Sequence, residues 1–241
     1  MLTVKKTVTR TVSILGRSVA PLEQLTLIKN SKIDREVKDV LRQCLITAMN
    51  FESSSKDSLD KSKTLVRKSG DSCEITSRSA AFTAASAMKL KKWNDVDDML
   101  RLSTHSPPVI TSSIRIRSLA EQSKLSEALS ELEKVLMFEE EVFSTSNYSV
   151  SDEALDSLCQ AIKSASQSTD EMKRFRNLQR LVTKYDRRTS QTIEDLLYTP
   201  IHVEKSEPET EPIDETFVKS KKFQDFVKQI PYMKDKATEL K

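Results

Sequence analysis

Three apolar residues, Leu41, Ile75 and Val109, follow one another at intervals of 34 residues. Each lies in a stretch whose apolar side chains recur every three or four residues, and a polar break and a second such stretch follow. Intervals of about 34 to 36 residues are typical of proteins built from stacked helical hairpins, in which each hairpin buries its apolar face only against its neighbours. The recurrence therefore predicts a row of helical hairpins, an architecture that serves binding more often than catalysis.

The composition of the chain favours an all-α fold. Only two glycines occur in 241 residues, whereas the tight turns of β-hairpins depend on glycine and on Asn-Gly pairs. Cys44, Cys73 and Cys159 form neither a paired framework nor a metal-binding doublet, which indicates a reducing compartment. No apolar run reaches the roughly 20 residues of a membrane-spanning helix, so membrane insertion is not expected.

Apolar periodicity places the hairpins between residues 30 and 200. Gly70 is a typical helix stop, Pro108 fits the first turn of a helix, and Ser151 before two acidic residues is a typical N-cap. The helices predicted from these signals span residues 31–50, 56–68, 74–88, 93–102, 107–120, 125–136, 152–162, 170–187 and 191–198.

The first 22 residues differ from the rest of the chain. They carry four basic residues and no acidic residue, and they are rich in Thr, Ser and Val. A helix here would place Val4, Val8, Val12 and Leu15 on one side, the amphipathic form of a mitochondrial transit peptide. A disordered basic tail is the alternative, because Thr and Val are poor helix formers. We predict a transit peptide over residues 1–22, cleaved between about Arg17 and Ala20.

The chain after Pro200 falls into two segments. Residues 201–215 are predicted to be a disordered acidic linker, since 204–215 hold six acidic residues, one lysine and two prolines. Residues 216–241 carry a net charge of +4 and regain apolar side chains at helical spacing. A short amphipathic C-terminal helix is therefore expected, which would dock back on the body or bind a partner.

A concentration of positive charge lies in residues 170–188, where seven basic residues stand against three acidic ones. Five of the basic residues follow one another in steps of three or four, so that on a helix they form one ridge whose spacing suits phosphate groups. A solvated helix face without a ligand is the alternative. The candidate RNA-binding ridge consists of Lys173, Arg176, Arg180, Lys184 and Arg188.

Catalytic and metal-binding motifs are not found. The only histidines, His105 and His202, lie about a hundred residues apart, and neither belongs to a ligand motif or a nucleophile–base motif. The acidic clusters at 95–98 and 139–141 are expected to face water rather than a metal ion. Trp93 is expected in the core rather than as a stacking platform for bases. We predict a noncatalytic protein with no metal, no cofactor and no small-molecule substrate.

Three segments resemble the mitochondrial pentatricopeptide repeat domain-containing protein 2 family. They are residues 74–78 with the alanine-rich helix after them, residues 148–155, and residues 192–200. The resemblance covers roughly residues 35–204. It implies a right-handed superhelical array of helix-turn-helix hairpins, similar to pentatricopeptide and tetratricopeptide repeats. It also implies a protein of the mitochondrial matrix that acts in mRNA processing and thereby in respiratory chain function.

The leading hypothesis is a helical-repeat protein of mitochondrial RNA maturation, whose concave surface and basic ridge hold RNA or an RNA-bound protein. Three hairpins would contact few nucleotides, so selective readout of a transcript would need a partner or an oligomer. The alternative is a protein-interaction subunit or assembly factor of the mitochondrial ribosome. The expected partners are therefore mitochondrial RNA and RNA-processing or ribosomal proteins.

Overall fold

A computed structural model describes residues 11–31, 33–137, 149–165 and 169–204. In these ranges the chain is mostly helical, which confirms the all-α class. The helices are α1 (Pro21–Asn30), α2 (Arg35–Ser53), α3 (Lys56–Ser69), α4 (Glu74–Lys89), α5 (Trp93–Arg101), α6 (Pro108–Glu121), α7 (Leu125–Met137), α8 (Asp152–Ser164), α9 (Thr169–Lys184) and α10 (Ile193–Leu197). The short strands are β1 (Thr11–Ile14), β2 (Val150–Ser151), β3 (Arg188–Thr189) and β4 (Ile201–Glu204).

Local signals in the sequence mark the helix ends. The Ser55 side chain accepts a hydrogen bond from the amide of Ser58 at the start of α3, and Gly70 with φ +70° ends that helix. At the start of α8 the Ser151 side chain accepts a hydrogen bond from the amide of Glu153. The sequence predicts the stop at Gly70 and the cap at Ser151, and the predicted boundaries of α3 and α8 lie close to the observed ones.

Consecutive helices pack as pairs, α2 with α3, α4 with α5, α6 with α7, and α8 with α9. Only two or three residues separate the members of the first three pairs, so each of these pairs is a helical hairpin. The first members also contact one another in chain order, α2 with α4, α4 with α6, and α6 with α8. We call α2, α4, α6 and α8 the A layer, and α3, α5, α7 and α9 the B layer.

The buried apolar residues form two clusters that meet at α6, and the first of them also includes side chains of β1, α1, α10 and β4. Ile110 and Ile114 of α6 belong to a cluster with α2, α4 and α5, whereas Ile116 and Leu119 belong to a cluster with α7, α8 and α9. Helix α4 is buried on all sides from Thr76 to Met88. Its small side chains, mostly alanine and serine, allow the neighbouring helices to approach closely.

The folded body starts before residue 30, where the helical domain was predicted to begin. Residues 12–203 form one compact unit, in which Ile14 and Leu15 are buried. Residues 11–14 form β1, which pairs with β4, rather than the helix expected for a transit peptide. β-branched residues dominate this segment and favour a strand over a helix. Whether residues 1–22 direct import stays a prediction, and residues 1–10 lie outside the described part.

The side chain of Gln24 on α1 holds the turn that follows β1. Its amide oxygen accepts a hydrogen bond from the Leu15 amide at 2.8 Å, and its nitrogen donates to the carbonyls of Leu15 and Val19 at 2.9 and 2.7 Å. This contact integrates α1, which the sequence interpretation left out, into the body.

The folded body also extends beyond Pro200, where the acidic linker was predicted to begin. Ile201 is buried and β4 continues to Glu204. The rest of the predicted acidic linker and the predicted C-terminal helix at 216–241 lie outside the described residues. No helix in the described ranges has both the length and the apolar character that crossing a membrane requires.

Candidate nucleic-acid interface

The predicted ridge lies on α9 and just after it. Lys173, Arg176, Arg180 and Lys184 belong to α9 and are exposed, while Arg188 lies in β3. The helix is amphipathic, so its opposite face is apolar and packs in the core. The buried side chains of that face are Phe175, Leu178 and Val182.

Two of the five ridge residues have carboxylate partners. The Arg188 guanidinium donates from Nε and Nη2 to Asp152 at 2.9 and 2.8 Å, and this hydrogen bonding raises the pKa of Arg188. Lys173 lies 3.4 Å from Asp170, and both side chains are largely exposed. Arg188 therefore fastens β3 to α8, and it offers less free charge to a ligand than its spacing suggests.

The other three ridge residues, Arg176, Arg180 and Lys184, have no carboxylate partner in the described ranges. We call these three residues the open ridge. They lie on one face of α9 at successive turns, from the middle of the helix to its C-terminal end. The open ridge is thus a line of three positive charges that meet water rather than an acidic neighbour.

A neighbouring arginine on α9, Arg174, joins this helix to α7. Arg174 donates from Nε and Nη2 to the two carboxylate oxygens of Glu133 on α7 at 2.8 and 2.7 Å. The hydrogen bond from Arg174 lowers the pKa of Glu133, so this carboxylate stays ionised at neutral pH. The paired contact joins two helices of the B layer.

Two apolar side chains on α9 and at its end are exposed, and sequence reasoning missed both. Leu181 is 39% exposed, and Tyr185, one turn later, is 57% exposed. The ammonium nitrogen of Lys184 lies 5.3 Å from the centre of the Tyr185 ring. The signal was present in the sequence, because Tyr185 directly follows Lys184 of the predicted ridge and lies within reach of the same ligand.

The segment after α9 crosses the A layer from one end to the other. We call residues 188–203 the C-terminal strap. At its start, the Ser151 hydroxyl donates to the carbonyl of Gln191 at 2.9 Å, and the Ile193 amide donates to the Glu153 carboxylate of α8 at 2.8 Å. Helix α10 then contacts α6 and α4. The strap therefore passes from α8 over the middle of the A layer.

Arg78 of α4 holds the C-terminal end of α10. Its side chain is 1% exposed, and Nη1 donates to the carbonyls of Leu196, Leu197 and Thr199 at 3.2, 3.0 and 3.2 Å. Nη2 donates to the Glu74 carboxylate at 2.7 Å. The last carbonyls of a helix have no partner within the helix, and the guanidinium supplies donors at the end where positive charge is favoured.

Tyr198 fastens the far end of the strap to α2. Its hydroxyl donates to the Glu52 carboxylate at 2.8 Å, and its ring packs edge-on against Phe82 with centroids 5.1 Å apart. Arg17 approaches from the N-terminal side, with ion pairs to Glu194 and Asp195 of α10 at 2.9 and 2.7 Å. The strap thus contacts all four helices of the A layer.

The position of the strap decides which surfaces are open. The B layer covers one side of the A layer, so the strap, which contacts the A helices, lies on the other side. On that side the chain's own residues cover the A helices where α10 packs. The open ridge belongs to the B layer and stays accessible.

Other charged residues of the A and B layers have structural contacts. Arg117 pairs with Glu121 at 2.9 Å and also with Glu153, and Asp95 pairs with Lys63 at 2.8 Å. Trp93 packs against the first core cluster, as expected for a core residue. No group of His, Cys, Asp and Glu side chains within the described ranges could hold a metal ion.

Comparison of the chain with known protein families, with curated proteins and with solved structures finds no match in any of the three.

Proposed function

We propose that this protein is a noncatalytic helical-repeat protein that binds RNA through the exposed face of α9 and acts in the maturation of mitochondrial mRNA. The observation that carries the proposal is the open ridge, Arg176, Arg180 and Lys184, three exposed cations in line without an acidic partner in the described ranges. Arg176 and Lys184 lie eight residues apart, about 12 Å along a helix axis. Cations in such a line can contact successive phosphates of one strand.

We also propose that the A and B layers belong to a right-handed superhelical array of the pentatricopeptide and tetratricopeptide type. The 34-residue interval supports this, as does the packing of each hairpin on the next through its A helix. Action in the mitochondrial matrix, and through mRNA processing on the respiratory chain, is supported by the resemblance at residues 74–78, 148–155 and 192–200.

The test is salt-dependent binding of fluorescently labelled mitochondrial RNA to the full chain. Each phosphate contact with a single strand contributes about −0.7 to the slope of log affinity against log salt concentration. The triple variant Arg176→Glu, Arg180→Glu, Lys184→Glu is expected to lose most of its affinity at low salt. Its slope should become shallower by about 2, because three contacts are lost.

A charge-matched control uses the exposed residues Lys61, Lys68 and Arg101 of α3 and α5, each changed to Glu. This variant has the same net charge as the ridge variant and is expected to bind nearly as well as the unchanged protein. Undiminished binding by the ridge variant, or an equal loss in both variants, would remove the ridge from the proposal. Association with ribosomal subunits that survives nuclease treatment, without RNA binding, would favour the ribosomal alternative.

A further inference from the structure

An exposed aromatic ring lies beside the open ridge. Tyr185 follows α9 directly and is 57% exposed, and Leu181, 39% exposed, lies one turn before it. Tyr185 stays connected to the helix, because its amide donates to the carbonyl of Leu181 at 2.9 Å. The ring is therefore held at the end of the ridge by regular backbone geometry, with much of its surface open to water.

The charges around the ring suit a nucleic acid. The ammonium group of Lys184 lies 5.3 Å from the ring centre, and Arg180 lies one turn earlier on α9. Asp186 is the nearest acidic residue along the chain, and it follows the ring in a left-handed turn with φ +52°. A phosphate held by Lys184 and Arg180 would bring its own base or the next one close to Tyr185.

Only an unpaired base can use such a ring. Base faces in a duplex are stacked on one another, whereas a single strand offers them to aromatic side chains. Proteins that bind single strands combine a basic path for the backbone with aromatic rings on which bases stack. The open ridge supplies the path, and Tyr185 supplies the ring.

We propose that Tyr185 is a stacking platform for an unpaired base of the RNA that the open ridge binds. This inference rests on the proposed function and adds a base contact to it. Leu181 extends the apolar surface by one turn, so the base contacts both side chains. Because every base has a stacking face, this contact favours unpaired RNA over duplex without selecting a particular sequence.

The experiment measures binding of the full chain to two labelled RNAs of equal length, one unstructured and one a closed hairpin. The unstructured RNA carries a single 2-aminopurine, whose fluorescence reports stacking. Tyr185→Ala is expected to weaken binding of the unstructured RNA by about 5- to 150-fold, the factor that corresponds to one stacked base. Hairpin binding and the salt slope should stay unchanged, because the phosphate contacts remain.

Two further variants make the outcome specific. Tyr185→Phe keeps the ring and is expected to bind like the unchanged protein, with the same change in 2-aminopurine fluorescence. Leu27→Ala removes an apolar side chain of α1 that is 60% exposed, and it should have no effect.

The possible failures of the inference are distinguishable. Equal binding by Tyr185→Ala and the unchanged protein would overturn the stacking platform. The loss of binding in the ridge variant would then still support the proposed function. Loss in Tyr185→Phe as large as in Tyr185→Ala would show that the hydroxyl matters rather than the ring. No binding of either RNA by the unchanged protein would overturn both proposals. A protein captured through Leu181 and Tyr185 without RNA would identify the surface as a protein contact.

Discussion

At the scale of single residues, the buried side chain of Arg78 fixes the C-terminal strap to the helical body. Arg78 lies on the most buried helix and donates four hydrogen bonds, three of them to carbonyls at the end of α10 and just after it. Burial lowers the pKa of Arg78, but arginine titrates so far above neutral pH that the guanidinium stays charged. A buried charge is tolerated only with such partners, so Arg78 and the strap depend on each other.

Replacement of this residue, Arg78→Met, is expected to lower the free energy of unfolding by about 3–5 kcal/mol, because breaking a buried charged contact leaves its partners without donors. Urea denaturation followed by circular dichroism measures the change. Arg101→Met is the control, since Arg101 is exposed and should change stability by less than about 0.5 kcal/mol. Similar midpoints for the two variants would show that Arg78 does not hold the strap.

At the scale of elements, β1 and the turn after it are part of the folded body. Gly16 has φ +65°, and its amide donates to the carbonyl of Tyr198 at 2.9 Å. A Cβ atom at this position would lie 3.2 Å from Cγ of Pro200, so both the backbone and the space favour glycine. The turn therefore fits closely against the strap.

Removal of residues 1–20 is expected to destabilise the body. The truncated chain lacks Ile14 and Leu15, which are 0% and 5% exposed. Each buried side chain of this size contributes about 1.5–3 kcal/mol, so the free energy of unfolding should fall by about 3–6 kcal/mol. Thermal and urea denaturation of the truncated and full chains measure the difference.

The full chain with Ile14→Ala and Leu15→Ala should reproduce most of this loss, because the same apolar contacts are removed without shortening the chain. A truncated chain as stable as the full one would show that the body does not depend on β1. This result also bears on the predicted transit peptide, since cleavage between Arg17 and Ala20 would remove these residues.

At the scale of the whole molecule, ionised carboxylates join helices that are distant in sequence. Arg174 lowers the pKa of Glu133 by hydrogen bonding between α9 and α7. Asp71 precedes α4; burial would raise its pKa, but hydrogen bonds from Ser77 and Thr104 outweigh that effect and lower it. Both carboxylates therefore bind protons less readily in the folded chain than in the unfolded chain.

Stability is expected to fall as the pH drops below about 4.5. Carboxylates in the unfolded chain titrate near pH 4. Above that range they are ionised in both the folded and the unfolded chain, and their full contribution to the free energy of unfolding is present. The pKa values of these carboxylates are lower in the folded chain, so the unfolded chain takes up protons first as the pH falls. Their contribution to the free energy of unfolding is therefore lost as the pH falls through the pKa values of the folded chain. Urea midpoints at pH 7, 4.5 and 3 measure the effect.

In the variant Glu133→Gln, the urea midpoint should fall less steeply as the pH drops, because one carboxylate with a lowered pKa has been removed. Glu127→Gln on the exposed side of α7 should leave the profile unchanged, since Glu127 has no ion-pair partner in the described ranges. A Glu133→Gln profile that matches the unchanged protein would contradict the role of this carboxylate.

The sequence allowed the helices to be predicted because their signals are local. Periodic apolar residues, the stop at Gly70 and the cap at Ser151 act within one or two turns. The pairing of β1 with β4 and the contact of Arg188 with Asp152 join residues far apart in the chain, and no spacing rule reaches that far. The predicted ridge therefore included Arg188, although the folded chain uses that side chain to hold β3.

Arg78 shows that part of the missed structure did have a signal. It is the only charged residue between Glu74 and Lys89 in a helix of small and apolar side chains. A helix of this kind is buried on all sides, and a lone charge within it must meet a partner from elsewhere in the chain. The sequence around Arg78 does not predict which segment this partner comes from, and the structure shows that it is the end of α10.

The strap has a consequence for how the molecule unfolds. In a row of hairpins that touch only their neighbours, the ends can fray one unit at a time while the rest stays folded. Here the contact between Gly16 and Tyr198 joins the two ends of the body, and Arg78 joins its centre to the same segment. Loss of any hairpin would also release the strap from the other hairpins, so the body should melt in a single cooperative step. Folding should be slow for a helical protein, because contacts between residues far apart in the sequence must form.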